Sequence, residues 1–273
     1  MSSTETTDRP PVRYGVDSGV ATITLDRPNA MNSLNTAAKE ALLSAVRQAA
    51  GDPDVRCVVV TGSGRAFSVG QDLKEHAERL ATQSPDEVWS TVEHHYTPIA
   101  LGLATMEKPV IAAVNGVAAG AGMSIAMACD LRIAADTAGF NTAFAAIALS
   151  CDTGSSWTLP RLVGPTKAVE LLMMPRTLSS AEALELGLVN KVVPADELAA
   201  EVGLIAATLA VGPTLAYASL KESVAFAATH PLEEALAFES EMMARTGSSH
   251  DHRNAVRSFA AKEKPTFTGR WGG

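Results

Sequence analysis

Two kinds of apolar pattern divide the chain. From residue 12 to about 195, short aliphatic runs end in glycine-containing turns and give way to helix-period stretches. Residues 12–26 alternate through Tyr14, Val16, Val20, Thr22 and Thr24, with Asp17-Ser18-Gly19 as the turn of a hairpin. Helical spacing follows over 36–49, with Ala41, Leu42, Ala45 and Val46 on one face. Residues 55–60 predict a buried strand, 72–80 and 86–106 helices, 110–114 a second buried strand and 121–128 a helix. Strands over 131–134 and 188–193 complete the pattern. Beyond residue 195 the strand signal stops, and four helices are predicted near 195–210, 213–229, 231–245 and 249–263. The expected fold is α/β with a helical C-terminal extension. No Gly/Ser linker separates the two parts.

Composition narrows the function. The 273 residues carry 22 Lys+Arg against 30 Asp+Glu, a formal charge of −8. That balance disfavours sequence-independent nucleic-acid binding, which relies on cationic side chains against phosphates. Cys57, Cys129 and Cys151 form no CxxC pair and predict buried thiols in a reducing compartment, with no metal site. The polar N-terminus shows no signal-peptide pattern, so a cytoplasmic location is expected. Residues 109–129 lack charge over a membrane-spanning length, but Gly116, Gly120, Gly122, Asn115 and Ser124 make strand, turn and buried helix the expected reading, with no membrane partner.

Two glycine-rich turns carry candidate chemistry. They are Arg65-Ala66-Phe67-Ser68-Val69-Gly70-Gln71-Asp72-Leu73 and Asn115-Gly116-Val117-Ala118-Ala119-Gly120-Ala121-Gly122. Each follows a buried strand and opens a helix, where free backbone N–H groups attract negative charge. Two such groups aimed at one point would form an oxyanion hole. Close backbone packing explains the glycines equally well. GxGxxG, P-loop and GxSxG patterns are absent from both turns.

In these residues the chain resembles the crotonase family, the enoyl-CoA hydratase/isomerase superfamily. The matching elements are Leu25-Asp26-Arg27-Pro28, then Asn29-Ala30-Met31-Asn32, the Phe67 to Leu73 turn, and the Pro109 to Gly122 turn. Leu159 to Gly164 and Ala183 to Val189 follow in the family's order. The resemblance implies a spiral of ββα turns over 12–200, a disordered tail over 1–11 and a C-terminal helical trimerisation region over 201–273. It implies an acyl-CoA thioester as substrate, coenzyme A entering only with it, no other cofactor, and a homotrimer or dimer of trimers. The backbone N–H groups of Gln71 and Ala121 would hold the thioester oxygen. Ser68, Gly70, Asp72, Leu73, Ala119, Gly120 and Phe144 would surround the substrate. Arg27, Asn29, Ala30 and Met31 would contact CoA, as would Phe259 and Lys262 at a neighbouring subunit.

The reaction is read from a departure. Family hydratases place glutamates where this chain has Ser124 and Phe144, and neither residue transfers a proton as a carboxylate does. Asp152 stands where family isomerases and a dehalogenase branch carry an aspartate. Beside Ala148, Leu149 and Trp157 it is expected to be desolvated, with a raised pKa. Local sequence alone suggests that its carboxylate caps a helix over 154–162. The likeness is greatest to the 1,2-epoxyphenylacetyl-CoA isomerases of phenylacetate breakdown, which share Gln71, Ala119 to Gly122, Phe144, Asp152 and the ending Pro265 to Gly269. It departs from them at Cys151 and at Ser155-Ser156. An isomerase working through a thioester enolate, with Asp152 moving the proton, is therefore expected. Alternatives are an enoyl-CoA hydratase, a 4-chlorobenzoyl-CoA-dehalogenase-like hydrolase and a non-catalytic acyl-CoA-binding protein. His94 and His95 are expected on a solvated helix face.

Overall fold

A computed structural model describes residues 9–270. Most of the expected tail, residues 1–8, lies outside the described residues. At 9–11 the chain is already engaged: Arg9 pairs with Asp26 at 2.9 Å, and the Pro11 carbonyl accepts the Asp26 N–H.

The hairpin forms as β1 (Val12–Asp17) and β2 (Val20–Leu25), with Ser18 and Gly19 in the left-handed region at the turn. Next come α1 (Thr36–Gly51), capped by the Asn35 side chain on Ala38 N–H, and β3 (Cys57–Gly62). β4 (Ala66–Ser68) and α2 (Leu73–Thr82) complete the first ββα unit. The expected helix over 86–106 is α3 (Pro85–Thr91) and α4 (Thr97–Ala104), joined by a π-helical turn, Val92–Tyr96. Pro98 is the local cause: it has no N–H to return to the preceding turn, and the wider turn absorbs the missing bond.

The second unit is β5 (Val110–Val114), β6 (Val117–Ala119) and α5 (Ala121–Ala128). β7 (Leu131–Ala135) and β8 (Gly139–Asn141) lead through a 3-10 turn, Phe144–Ile147, into α6 (Ser155–Val163) and α7 (Pro165–Met173). β9 (Leu178–Ser179), α8 (Ser180–Glu185) and β10 (Lys191–Val193) follow. The chain ends in α9 (Leu198–Ala210), α10 (Thr214–Ala227), α11 (Leu232–Gly247) and α12 (His250–Ala261).

Each ββα unit gives its first strand to one sheet and its second to another. The larger sheet runs β1-β2-β3-β5-β7-β10, and only the β1–β2 pairing is antiparallel. The smaller runs β4-β6-β8-β9, a sheet the apolar pattern did not reveal because strands of two or three residues show no period. β5 is buried throughout, as its unbroken Val-Ile-Ala-Ala-Val run demands of a strand covered on both faces. The charge-free stretch 109–129 is thus divided among β5, β6 and α5, and among the described residues no single helix is long and apolar enough to cross a membrane.

The boundary expected at residue 200 falls inside α9, whose buried Leu198, Val202 and Ala206 pack over β3, β5 and β7. α10 is tied back by Lys221, which donates to the Met106 and Lys108 carbonyls and pairs with Asp130 at 2.7 Å.

Candidate active site

Backbone pairing aims the first turn. Leu34 N–H donates to the Gly70 carbonyl at 2.7 Å, and Asp72 N–H to the Leu34 carbonyl at 3.2 Å. A parallel bridge of this kind uses the groups on either side of Gln71 and turns the N–H of Gln71 itself away from Leu34. Asp72 then caps α2, its Oδ1 accepting the N–H groups of Lys74 and Glu75. In the second turn Gly120 N–H donates to the Asn141 carbonyl at 2.9 Å, and Ala121 opens α5, too early for an intrahelical acceptor.

The two turns touch. A Cβ built on Gly70, whose φ is +80°, would lie 2.8 Å from the Ala119 carbonyl oxygen and 3.0 Å from the Ala121 nitrogen. Glycine is needed there for conformation and for closeness alike. Both N–H groups lack a protein acceptor among the described residues, and both residues line one cavity of about 210 Å³.

Asp152 lines the same cavity, together with the apolar side chains of Trp89, Phe144 and Ile147. It does not cap α6. Thr153 and Gly154 both have positive φ, Gly154 occupies the N-cap position, and Ser155 N–H donates to the Asp152 backbone carbonyl rather than to its carboxylate. The carboxylate accepts the Thr153 hydroxyl at 2.8 Å. Burial pushes the Asp152 pKa up; the Thr153 hydrogen bond and the Lys39 charge oppose this without cancelling it. Trp157, expected beside it, instead turns outward and stacks on Arg161 at 3.9 Å.

Ser124 does not line the cavity. It is fully buried, donates to the Gly120 carbonyl at 3.0 Å and shares a hydrogen bond with the Ser155 hydroxyl. Ser68 is equally buried, its hydroxyl donating to the Asn32 carbonyl and accepting Gly70 N–H. Leu73 and Gly120 line the cavity, and Ala119 abuts Gly70.

The residues expected to contact CoA do not line this cavity. Arg27, Asn29 and Ala30 line a second, more polar pocket with Arg9 and Asp26. Arg27 already donates to the Ser33 carbonyl at 2.6 Å and to Asp72 at 2.8 Å, so it braces the first turn. Burial alone would raise the Asp72 carboxyl, but hydrogen bonds from Arg27, Glu75 N–H and Ser33 bring it below the usual range. Met31 holds Val69 N–H on its carbonyl. Phe259 is 85% exposed on α12, and Lys262 ends that helix in the left-handed region; neither lines the cavity.

The sequence pattern does not mark Tyr96, Lys39, Thr91 or His76, four polar residues at or beside the cavity. Tyr96 Oη donates to Gln71 Oε1 at 2.7 Å, and Lys39 Nζ donates to Thr91 Oγ1 at 2.6 Å. Lys39 shares a helical stripe with Leu42, Leu43 and Val46, and a lysine on an apolar stripe was a readable signal. The histidines were expected on a solvated face. Only His94 is solvated; His95 is half-buried with its Nδ1 at 3.1 Å from Thr91 Oγ1, while His76, unmarked in the sequence, reaches the cavity wall beside Trp89. Cys57 and Cys129 are buried as expected, with thiols pushed up to about 12 by burial, but Cys151 is only half-buried.

The sequence profile of the enoyl-CoA hydratase/isomerase family matches residues 15–270. The chain is 39% identical over 260 residues to "Probable enoyl-CoA hydratase" of Rhodobacter capsulatus, covering 95% of this chain and 98% of that protein. It is 38% identical over 255 residues to 1,2-epoxyphenylacetyl-CoA isomerase of Escherichia coli, covering 93% and 97%. The crystal structure of enoyl-CoA hydratase from Bacillus anthracis superposes with a TM-score of 0.89 at 31% identity, covering 95% of this chain and all of that one. Paired turns with free N–H groups, the two-sheet spiral and these likenesses agree: the chain belongs to the enoyl-CoA hydratase/isomerase family.

Proposed function

We propose that the protein is an acyl-CoA isomerase in which Asp152 moves the proton and the N–H groups of Gln71 and Ala121 hold the thioester oxygen. One observation carries the preference. Asp152 is the carboxylate lining the cavity, whereas the two positions that hold glutamates in family hydratases are a buried, hydrogen-bonded Ser124 and an apolar Phe144. In a double-bond shift, the Asp152 carboxylate takes a proton from C2 of a 3-enoyl thioester. The electron pair spreads onto the thioester oxygen, where two preorganised N–H dipoles stabilise it. Return of that proton at C4 gives the 2-enoyl thioester, with composition unchanged. The raised Asp152 pKa suits both halves of the transfer.

The likeness to an epoxyphenylacetyl-CoA isomerase and the aromatic lining by Trp89, Tyr96 and Phe144 support a ring-bearing acyl group and isomerisation of its epoxide. A homotrimer or dimer of trimers is part of the proposal, supported by outward Val224, Leu232, Met243 and Phe259 on the last helices; light scattering tests it. The activity test offers purified enzyme a 3-enoyl-CoA and 1,2-epoxyphenylacetyl-CoA and follows products by mass spectrometry. Isomerisation that vanishes in Asp152→Asn supports the reading. Hydration of crotonyl-CoA as fast as isomerisation would instead favour the hydratase reading, which the names of several relatives carry.

A further inference from the structure

The charge buried beneath the oxyanion turn neither gives nor takes a proton in the transfer described above. Lys39 is completely buried on the inward face of α1. Its Nζ donates to Thr91 Oγ1 at 2.6 Å and to Gln71 Oε1 at 3.3 Å, and lies 5.4 Å from the centre of the Tyr96 ring. Tyr96 Oη donates to the same Gln71 oxygen at 2.7 Å. Donors from α1 and from the π-helical turn thus converge on one side-chain oxygen of Gln71, which lines the cavity and whose backbone N–H has no protein acceptor among the described residues. Every hydrogen-bond partner of Lys39 is neutral among the described residues. A buried ammonium without a hydrogen-bonded carboxylate is costly for a fold, and a leucine would fill this position on an apolar stripe. Such a cost persists where an anion is to be met.

We propose that Lys39 is a positioning residue of the oxyanion site, fixing the Gln71 side chain and placing a buried positive charge behind the thioester oxygen as it becomes an enolate oxygen. This rests on the reading of Gln71 and Ala121 as oxyanion donors. The surroundings keep the charge available. Burial lowers the Lys39 pKa to about 8; Glu75, Asp152 and Asp72 favour the charged form and Arg79 opposes it. His76 and His95 are held low first by burial and then by Lys39, so burial and the lysine both disfavour a second charge on these imidazoles. Burial also raises the Tyr96 hydroxyl far above its ordinary pKa, which keeps it a donor to Gln71.

The test compares a ground-state ligand with an enolate. Butyryl-CoA reports thioester binding; acetoacetyl-CoA loses its acidic C2 proton to solvent, and its bound enolate is followed by near-ultraviolet absorbance against pH. Wild type, Lys39→Met, Lys39→Gln and Lys39→Arg are each titrated, with folding checked by circular dichroism. Lys39→Met and Lys39→Gln are expected to bind butyryl-CoA as wild type does, yet lose about tenfold in enolate affinity, the equivalent of one pKa unit. The midpoint for enolate formation in the complex rises accordingly, and Lys39→Arg restores it. A residue that only tethered α1 would weaken both ligands equally, and that result overturns the proposal. So does an unchanged midpoint in both neutral variants. Wild type binding neither thioester would overturn the oxyanion reading itself, an outcome recognisable because it precedes any substitution.

Discussion

The carbonyl oxygen of Ser68 lies 2.2 Å from where a Cβ on Gly122 would stand. The first turn of α5 and the end of β4 are therefore in backbone contact, and this contact sets how far apart the free N–H groups of Gln71 and Ala121, the proposed oxyanion donors, can be. Gly122→Ala is expected to destabilise the fold by ~1–3 kcal/mol, the usual effect of overpacking. Displacing Ala121 N–H by about 1 Å should also lower kcat/KM by roughly 10²-fold. Urea unfolding and steady-state kinetics check the two effects separately.

Asp152→Asn should abolish isomerisation, with a loss of about 10²–10⁴ in kcat. The same change should stabilise the protein at neutral pH. Burial favours the protonated acid in the folded chain, so stability falls as pH rises from the ordinary aspartate range through the raised value, and the amide escapes that loss. Wild-type kcat/KM should fall on acidification at a pH above the ordinary aspartate range. A profile flat down to pH 4 would remove Asp152 as the base.

For Lys39 the sign is reversed. A pKa lowered to about 8 means that folding favours the neutral amine, so stability is fully present above the unfolded lysine value and is lost as pH falls through about 8. At pH 7 the charged form then costs on the order of 3 kcal/mol. Lys39→Met should raise the denaturation midpoint at pH 7 while impairing the enolate step. Thermal unfolding between pH 7 and 10 measures whether the pH-dependent rise disappears in the variant.

Asp72 joins the helix cap to the Arg27 brace. Asp72→Ala removes the acceptor for two α2 N–H groups and leaves Arg27 with the Ser33 partners alone. A loss of about 1–2 kcal/mol is expected, as for other cap deletions. Because the native carboxyl is held below its usual range, this contribution is present above the unfolded aspartate pKa and is lost as pH falls through the folded value. Comparing wild type and variant unfolding at pH 3 and pH 7 tests it.

The parts legible in the sequence had either an unbroken apolar run or several turns of helical spacing. β5, α5 and the four last helices fall where their spacing places them. The second sheet escaped because β4, β6 and β8 span three residues each, too few for alternation to show. Asp152 was recognisable by family position, but its orientation was not: two consecutive left-handed residues, Thr153 and Gly154, turn its carboxylate from the helix end. Lys39 escapes the apolar pattern because a stripe through Ala41, which is only half-buried, lies one residue around from the inward line. Its partners, Thr91 and Gln71, lie 52 and 32 residues away in the chain, beyond the reach of local spacing.

Both proposed anion donors are main-chain groups, and that has a consequence for how such an enzyme diversifies. Substitution at 71 or 121 cannot delete an amide hydrogen unless proline is introduced. On the proposed reading, the socket for the activated thioester is inherited with the backbone, while the side chains at 124, 144 and 152 remain free to be exchanged. A change of reaction then requires new side chains on an unchanged electrostatic platform, and one lineage can explore several chemistries without first losing its grip on the substrate.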